Sequence, residues 1–512
     1  MRSHSNFESE SRSSAGFSEP AEAGTPYGHQ LSAAPFQIRS APESPLRSAT
    51  ALQNAFVSFL VTVLFAACFS DAMAQTVTRG PYLQQGTPTT IIVRWRTSAA
   101  TATRVRYGTS PDDFSGTNSD ATATSEHIIG ISGLQPSTRY YYEIGTSTDW
   151  FTGDPGDFFD TAPPAGSRAP TRIWVIGDSG FPTTNAIAVR DAYLNFTGSR
   201  QTDLWLMLGD NAYDSGTDAE YQAAVFNMYP ALLQNAPVWS TRGNHEVDAS
   251  NTGSTYYNIF SFPTRGEAGG VASGTEAYYS FDYANVHFIC LDSFGSSRSG
   301  TGVMADWLRA DLSAVSTGSD WIVTFFHHPP YSRGSHNSDS ETELVQMRQN
   351  ILPILEDAGV DLVLSGHSHS YERSFLLDGH YGTAASLTSA MIKNGGSGRE
   401  NSGGAYQKSA PGGAHEGAVY AVAGSSSALS GGALDHPAMF ISLNQLGSLV
   451  LDVNGNRLDA KFLRENGSIG DSFTIIKGLA SVPAAPYNLT AAAGETHVTL
   501  RWAGSYGWTW SG

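Results

Sequence analysis

Cysteine is nearly missing from this chain: there are two in 512 residues, Cys68 and Cys290. That scarcity excludes a disulfide-stapled scaffold and a zinc site built from thiolates. Basic side chains are scarce too, 29 Lys and Arg against 47 Asp and Glu, for a formal net charge of -18. A nucleic-acid backbone is thereby excluded as the main partner, because binding it requires a basic surface. Long apolar runs are almost absent. The one that stands out, residues 55–69, is shorter than the roughly 20 residues of a membrane span. With Arg47 upstream and Ala72-Met73-Ala74 downstream, residues 51–74 read as a secretory signal peptide cleaved before Gln75, which leaves no stable membrane insertion. Phe65-Ala66-Ala67-Cys68 is a poor lipoprotein signal, so a lipid anchor is the lesser alternative. Residues 1–50, rich in Ser, Ala, Pro and Glu, are expected to form a disordered extension. Cys290, in the apolar stretch His287–Leu291, is expected in the core.

What is present suffices for two or three domains, since 40% of the residues are hydrophobic and 11% aromatic. Between 75 and 164 the β-type runs Thr90–Trp95, Arg104–Tyr107 and Arg139–Ile144 alternate with turns, which predicts an all-β sandwich. Trp95 and the run Gly133–Tyr142 resemble the fibronectin type III pattern with its tyrosine corner. This domain is expected to position the next one. After a linker at 160–167, apolar runs at 172–176, 204–208, 321–326 and 360–364 alternate with amphipathic segments near 218–234, 303–315 and 341–358. The pattern predicts a layered α/β domain over 165–477, with ligands gathered beyond the strand ends. A Gly- and Ser-rich stretch at 394–417 is expected to be a loop. Residues 478–512 read as a linker and the first two strands of an incomplete fibronectin type III-like segment.

Five short blocks carry the chemistry: Gly177–Gly180, Gly209–Tyr213, Gly243–Glu246, His327 and Gly366–His369. They offer Asp178, Asp210, Tyr213, Asn244, His327, His367 and His369, hard oxygens and imidazoles suited to two ions that share a bridge. Three of the blocks directly follow an apolar run, which places their donors on one rim. The glycines at 177, 209, 243 and 366 are expected to turn the backbone there.

As a set, the blocks resemble the metallophosphoesterase superfamily, and Tyr213 within Gly-Asp-Xaa-Xaa-Tyr narrows the resemblance to the purple acid phosphatases. The resemblance implies a four-layer α/β sandwich behind the β domain and a secreted acid phosphatase. It further implies Fe(III) held by Asp178, Tyr213 and His369, and Zn2+, Mn2+ or Fe2+ held by Asn244, His327 and His367, with Asp210 between them. Asn244, His245 and His336 are the implied substrate-binding residues, the two histidines being also the implied catalytic ones. Small phosphate monoesters would be hydrolysed by in-line attack of a metal-bound hydroxide. Some alternatives stay open at this stage. A phosphodiesterase or nucleotidase with the same site is one, and a non-catalytic surface binding protein is another. His328 competes with His327, although His327-His328-Pro329-Pro330-Tyr331 aligns His327 with the family ligand. Glu246 is expected to support the site from behind. The sequence leaves the oligomeric state open.

Overall fold

The β-type runs after Gln75 form one continuous hydrogen-bonded sheet of six strands. The computed structural model describes residues 75–151, 156–246, 254–315, 318–402, 404–410 and 412–478, and the backbone of 487–493 and 498–503. The expectations for residues 1–50 and 51–74 therefore lie outside the described residues.

Two stretches read as separate strands, Thr90–Trp95 and Arg104–Tyr107, are in fact one 19-residue strand, Thr90–Gly108. Its first half pairs with Val77–Gln84 and its second half with Arg139–Gly145, while Gly116–Ser132 follows it along the other edge. No Gly or Pro interrupts Thr97–Thr103, so register irregularities take the place of a turn. Leu83, Ile91, Val93, Trp95, Val105, Ile131, Tyr142 and Phe159 from both halves share one core. The tyrosine corner is present, with the Tyr140 hydroxyl accepting the Gln135 amide at 3.0 Å. The C-terminal strands Tyr487–Ala493 and Val498–Ala503 pair antiparallel, as their pattern leads one to expect.

The second domain holds two seven-stranded sheets. In the first, Thr171–Ile176, Leu204–Met207 and Val238–Ser240 run parallel. In the second, Val286–Cys290, Trp321–Phe325, Leu362–Ser365 and Val419–Ala423 do so. Their facing side chains fill one large core that includes Trp174, Trp205, Trp239 and Trp321. Burying each such side chain contributes on the order of 2–3 kcal/mol. Helices cover the outer faces, giving four layers. Val303–Ala314 is typical: Met304, Ala305, Trp307, Leu308 and Asp311 fall at helical spacing and are all buried. The expected 341–358 segment is helical throughout, with a wider π turn at Met347–Ile351 just before Pro353, whose ring nitrogen cannot donate. Cys290 lies in the core. No helix among the described residues is long and apolar enough to cross a membrane.

One buried group favours acid conditions. His287 sits between Asp282 (2.7 Å) and Asp311 (2.9 Å). Burial opposes its charge, but the two carboxylates prevail and raise its pKa to about 9. Because the folded value lies above the unfolded one, the stabilisation is fully present below about pH 6.5 and is lost as pH rises through 9. It amounts to roughly 3 kcal/mol. Thermal unfolding should show a fall in Tm between pH 7 and 9 that His287→Gln flattens. An identical slope in the variant would refute the assignment.

Candidate metal centre

The parallel strands of both sheets deliver the five blocks to one rim, because ligands of such sheets gather beyond the strand carboxyl ends. Asp178 follows Thr171–Ile176, Asp210 follows Leu204–Met207, Asn244 follows Val238–Ser240, His327 follows Trp321–Phe325, and His367 follows Leu362–Ser365. The sharp turn is not made where the glycines suggest. Of Gly177, Gly209, Gly243 and Gly366, only Gly209 has a positive φ. Asp178, Asp210 and His367 themselves adopt the left-handed region, at φ 54°, 51° and 65°, which costs each about 1 kcal/mol. Glycine is needed beside them for room. A Cβ on Gly243 would stand 2.0 Å from Asp210 Oδ1, and one on Gly366 would stand 2.4 Å from Asp178 Oδ2.

The seven donors converge as two groups joined by one carboxylate. Tyr213 Oη lies 3.0 Å from Asp178 Oδ1, 3.0 Å from Asp210 Oδ2 and 3.0 Å from His369 Nε2. On the other side, His327 Nε2 lies 3.1 Å from Asn244 Oδ1, 3.2 Å from His367 Nδ1 and 3.3 Å from the same Asp210 Oδ2. The ring nitrogens that face away are held as well. His327 Nδ1 donates to the Leu208 carbonyl at 2.9 Å, and His369 Nδ1 lies 3.0 Å from Ser430 Oγ. These partners aim both Nε2 atoms inward.

The electrostatics fit cations. Burial, and then the charges of Asp178 and Asp210, push the Tyr213 hydroxyl well above its ordinary pKa. Burial also opposes the Asp210 charge, but His327 outweighs it and holds that carboxyl below the usual range. His327 in turn is raised to about 9, with burial opposing and Asp210 prevailing. Three buried oxygen acids thus meet at hydrogen-bond distance. In the described residues no Lys or Arg nitrogen contacts them. Hard oxygens with imidazoles are donors suited to multiply charged cations.

Residues 171–371 match the family model described as Calcineurin-like phosphoesterase, and residues 80–155 match that of the Purple acid Phosphatase, N-terminal domain. The chain thus carries a calcineurin-like phosphoesterase domain preceded by a purple acid phosphatase N-terminal domain. Among curated relatives, purple acid phosphatase 23 of Arabidopsis thaliana is 30% identical over 48% of this chain and 57% of its own length. Purple acid phosphatase 22 of the same plant is 30% identical over 52% of this chain and 60% of its own. The chain therefore spans little more than half the length of the relatives it matches. A purple acid phosphatase from yellow lupin (Lupinus luteus) seeds superposes with a TM-score of 0.64 at 16% identity, covering 78% of this chain and 75% of that one. That likeness carries the fold.

The other candidate residues stand at the rim. The His245 backbone N–H donates to Asp210 Oδ1 at 3.1 Å, its Nδ1 donates to the Asp214 carbonyl at 2.6 Å, and its ring meets Tyr213 edge-on at 4.5 Å. His336 lies over His367 with ring centres 3.7 Å apart. His328 comes within ligand reach of His327 and His367, but its Nδ1 is occupied by Ser293 Oγ at 2.9 Å, and burial holds it neutral. Glu246 lies behind the site, accepting the amides of Asp210 (3.1 Å), Asn211 (2.5 Å) and Gly243 (2.6 Å). His380 and His436 pack on Tyr331, and His415 pairs with Asp357 and Asp378, so neither set joins the centre.

Sequence reasoning missed three residues here. Glu341 bonds His336 Nδ1 at 2.7 Å and reaches His367 Nε2 at 3.4 Å; its signal was a carboxylate five residues after His336. Ser430 lies beyond a strand followed by glycine, Val419–Ala423 then Gly424, the same signature as the metal blocks but without a donor to draw notice. Phe181 stacks on Tyr213 at 4.1 Å and 13°.

Proposed function

We propose that this chain is a secreted acid phosphatase that releases phosphate from small phosphate monoesters at a dinuclear centre. Tyr213, through its contacts with Asp178, Asp210 and His369, carries the reading. Asp178, Tyr213 and His369 would hold Fe(III); Asn244, His327 and His367 would hold Zn2+, Mn2+ or Fe2+; and Asp210, in contact with both groups, would lie between. When bound, such a pair supplies the Lewis acidity that activates water and clamps the phosphoryl oxygens.

The chain's own groups supply the rest. The hydrogen bond from His245 Nδ1 to the Asp214 carbonyl leaves Nε2, 4.0 Å from Asp210 Oδ2, as the edge that faces the centre and can bind a phosphoryl oxygen. His336 is fixed likewise: its Nδ1 bonds Glu341, leaving Nε2 to hand a proton to the departing alkoxide. Burial opposes the Glu341 charge, yet its hydrogen bonds to His367, the Asn337 amide and His336 bring that carboxyl down to about 2. It thus stays charged beside His336 under acid conditions.

Kinetics on a monoester and a diester test the substrate class. A preference for the diester by more than tenfold would favour a phosphodiesterase with the same site. The metal assignment has its own test. The loaded protein should absorb in the visible through tyrosinate-to-iron charge transfer, and Tyr213→Phe should lose the band while circular dichroism is unchanged. A colourless dizinc or dimanganese protein would refute Fe(III).

A further inference from the structure

We propose that the N-terminal β domain sets the position of His245 through Arg96, which makes Arg96 a positioning residue of the hydrolytic site 149 residues further along the chain. The inference rests on the role given to His245 above. Arg96 grips Asp218 with both ends of its guanidinium, Nη1 to Oδ2 at 2.6 Å and Nη2 to Oδ1 at 2.6 Å. Such a fork-to-fork pair fixes orientation as well as distance. Arg79 of the same domain adds Nη2 to Asp218 Oδ1 at 3.0 Å and Nε to Gln222 Oε1 at 2.8 Å.

Asp218 opens the short helix Asp218–Tyr221, and two residues later Glu220 turns back over the preceding loop. Its carboxylate accepts the amides of Asp214 (2.6 Å), Ser215 (3.2 Å) and Thr217 (2.8 Å). The segment between Tyr213 and Asp218 is therefore held at one end by the metal centre and at the other by the β domain. From its middle, the Asp214 carbonyl accepts His245 Nδ1 at 2.6 Å. Without Arg96, Asp218 keeps only Arg79, through Nη2 to Oδ1 at 3.0 Å and to its carbonyl at 3.3 Å, and loses the two-pronged grip that fixes its orientation. Glu220 and the carbonyl that decides which edge of His245 faces the site are then held less firmly. Two other contacts between the domains lie away from this loop. Tyr82 Oη donates to the Ile259 carbonyl at 2.7 Å, and Tyr142 Oη to the Gln234 carbonyl at 2.9 Å.

A double-mutant cycle on the full chain tests the relay. Arg96→Ala should lower kcat on a phosphate monoester about tenfold, Arg96→Lys should restore part of it, and in the His245→Ala background Arg96→Ala should cost nothing further. Glu220→Gln, on the catalytic side of the interface, should show the same dependence on His245. Tyr142→Phe, which removes a hydrogen bond between the same domains, should leave kcat unchanged. Hydrogen exchange gives a readout independent of turnover: amides 214–217 should exchange faster in Arg96→Ala and not in Tyr142→Phe. An undiminished Arg96→Ala effect without His245, or unaltered exchange at 214–217, would overturn the relay. A wild-type protein that hydrolyses no phosphate ester would overturn the proposed function instead, with the exchange arm still deciding on the loop.

Discussion

Replacing Asp210 with Ala should lower turnover on a phosphate monoester by at least about a thousandfold, roughly 4 kcal/mol of transition-state stabilisation. Asp210 Oδ2 reaches a donor atom of each group, Tyr213 Oη at 3.0 Å and His327 Nε2 at 3.3 Å. Its Oδ1 also takes the His245 amide, so the same substitution loosens the residue proposed to bind phosphate. Ala is strained at φ 51°, whereas Asn tolerates the left-handed region, which makes Asp210→Asn the cleaner companion. Metal analysis should fall below two ions per chain in both variants, with circular dichroism unchanged. Hydrolysis at the wild-type rate by either variant would exclude this carboxylate from the chemistry.

The largest loss of stability is expected at a residue far from any sequence motif. Asp471 is fully buried and takes Arg373 Nε at 2.6 Å, Arg373 Nη2 at 3.1 Å, Arg399 Nη2 at 2.6 Å and Tyr371 Oη at 2.9 Å. Tyr371 and Arg373 lie in the strand that leaves the His367–His369 block and belongs to the second sheet, whereas Asp471 belongs to the first. The cluster thus ties the two sheets together behind the metal centre. Asp471→Ala strands a buried guanidinium and should cost about 3–5 kcal/mol, a fall in Tm of roughly 10 °C. Exchanging Arg373 and Asp471 together for Met and Leu should cost much less, because no charge is then left unpaired. Burial opposes the Asp471 charge, but Arg373 prevails and holds the carboxyl below its ordinary value. The contribution is therefore present above about pH 4 and is lost only as pH falls further. A loss under 1 kcal/mol in the single variant would show that the cluster does not join the sheets.

The seven candidate donors could be picked out in the sequence because each is a residue type able to hold an ion and lies just beyond a strand end, where the chain has few neighbours to choose among. Tyr213 was legible through its spacing from Asp210, three residues along one loop. Their supports were not. Glu341, Ser430 and the Leu208 carbonyl reach the histidines from other segments, and an ordinary Glu, Ser or peptide group carries no mark of its use. The turns were misplaced for a related reason. Glycine beside a charged residue suggests a left-handed glycine, but at Asp178 and His367 the candidate donor itself turns, and the glycine gives way to a neighbour from another strand. The joined strand Thr90–Gly108 escaped notice because a polar Ser/Ala/Thr stretch in its middle looks like a loop when read alone.

By itself, the sequence determined the inventory: which side chains can hold ions, that they follow strands, that a β domain precedes them, and that the surface is acidic. Those properties are local, set by residue type and short-range periodicity. Only the tertiary structure decided that Asp210 stands between two groups, that Glu341 orients His336, and that Arg96 of the first domain bears on the loop that holds His245. Each of these joins residues distant in the chain through the packing of sheets and domains, and a hydrogen bond of that kind leaves no periodicity to read.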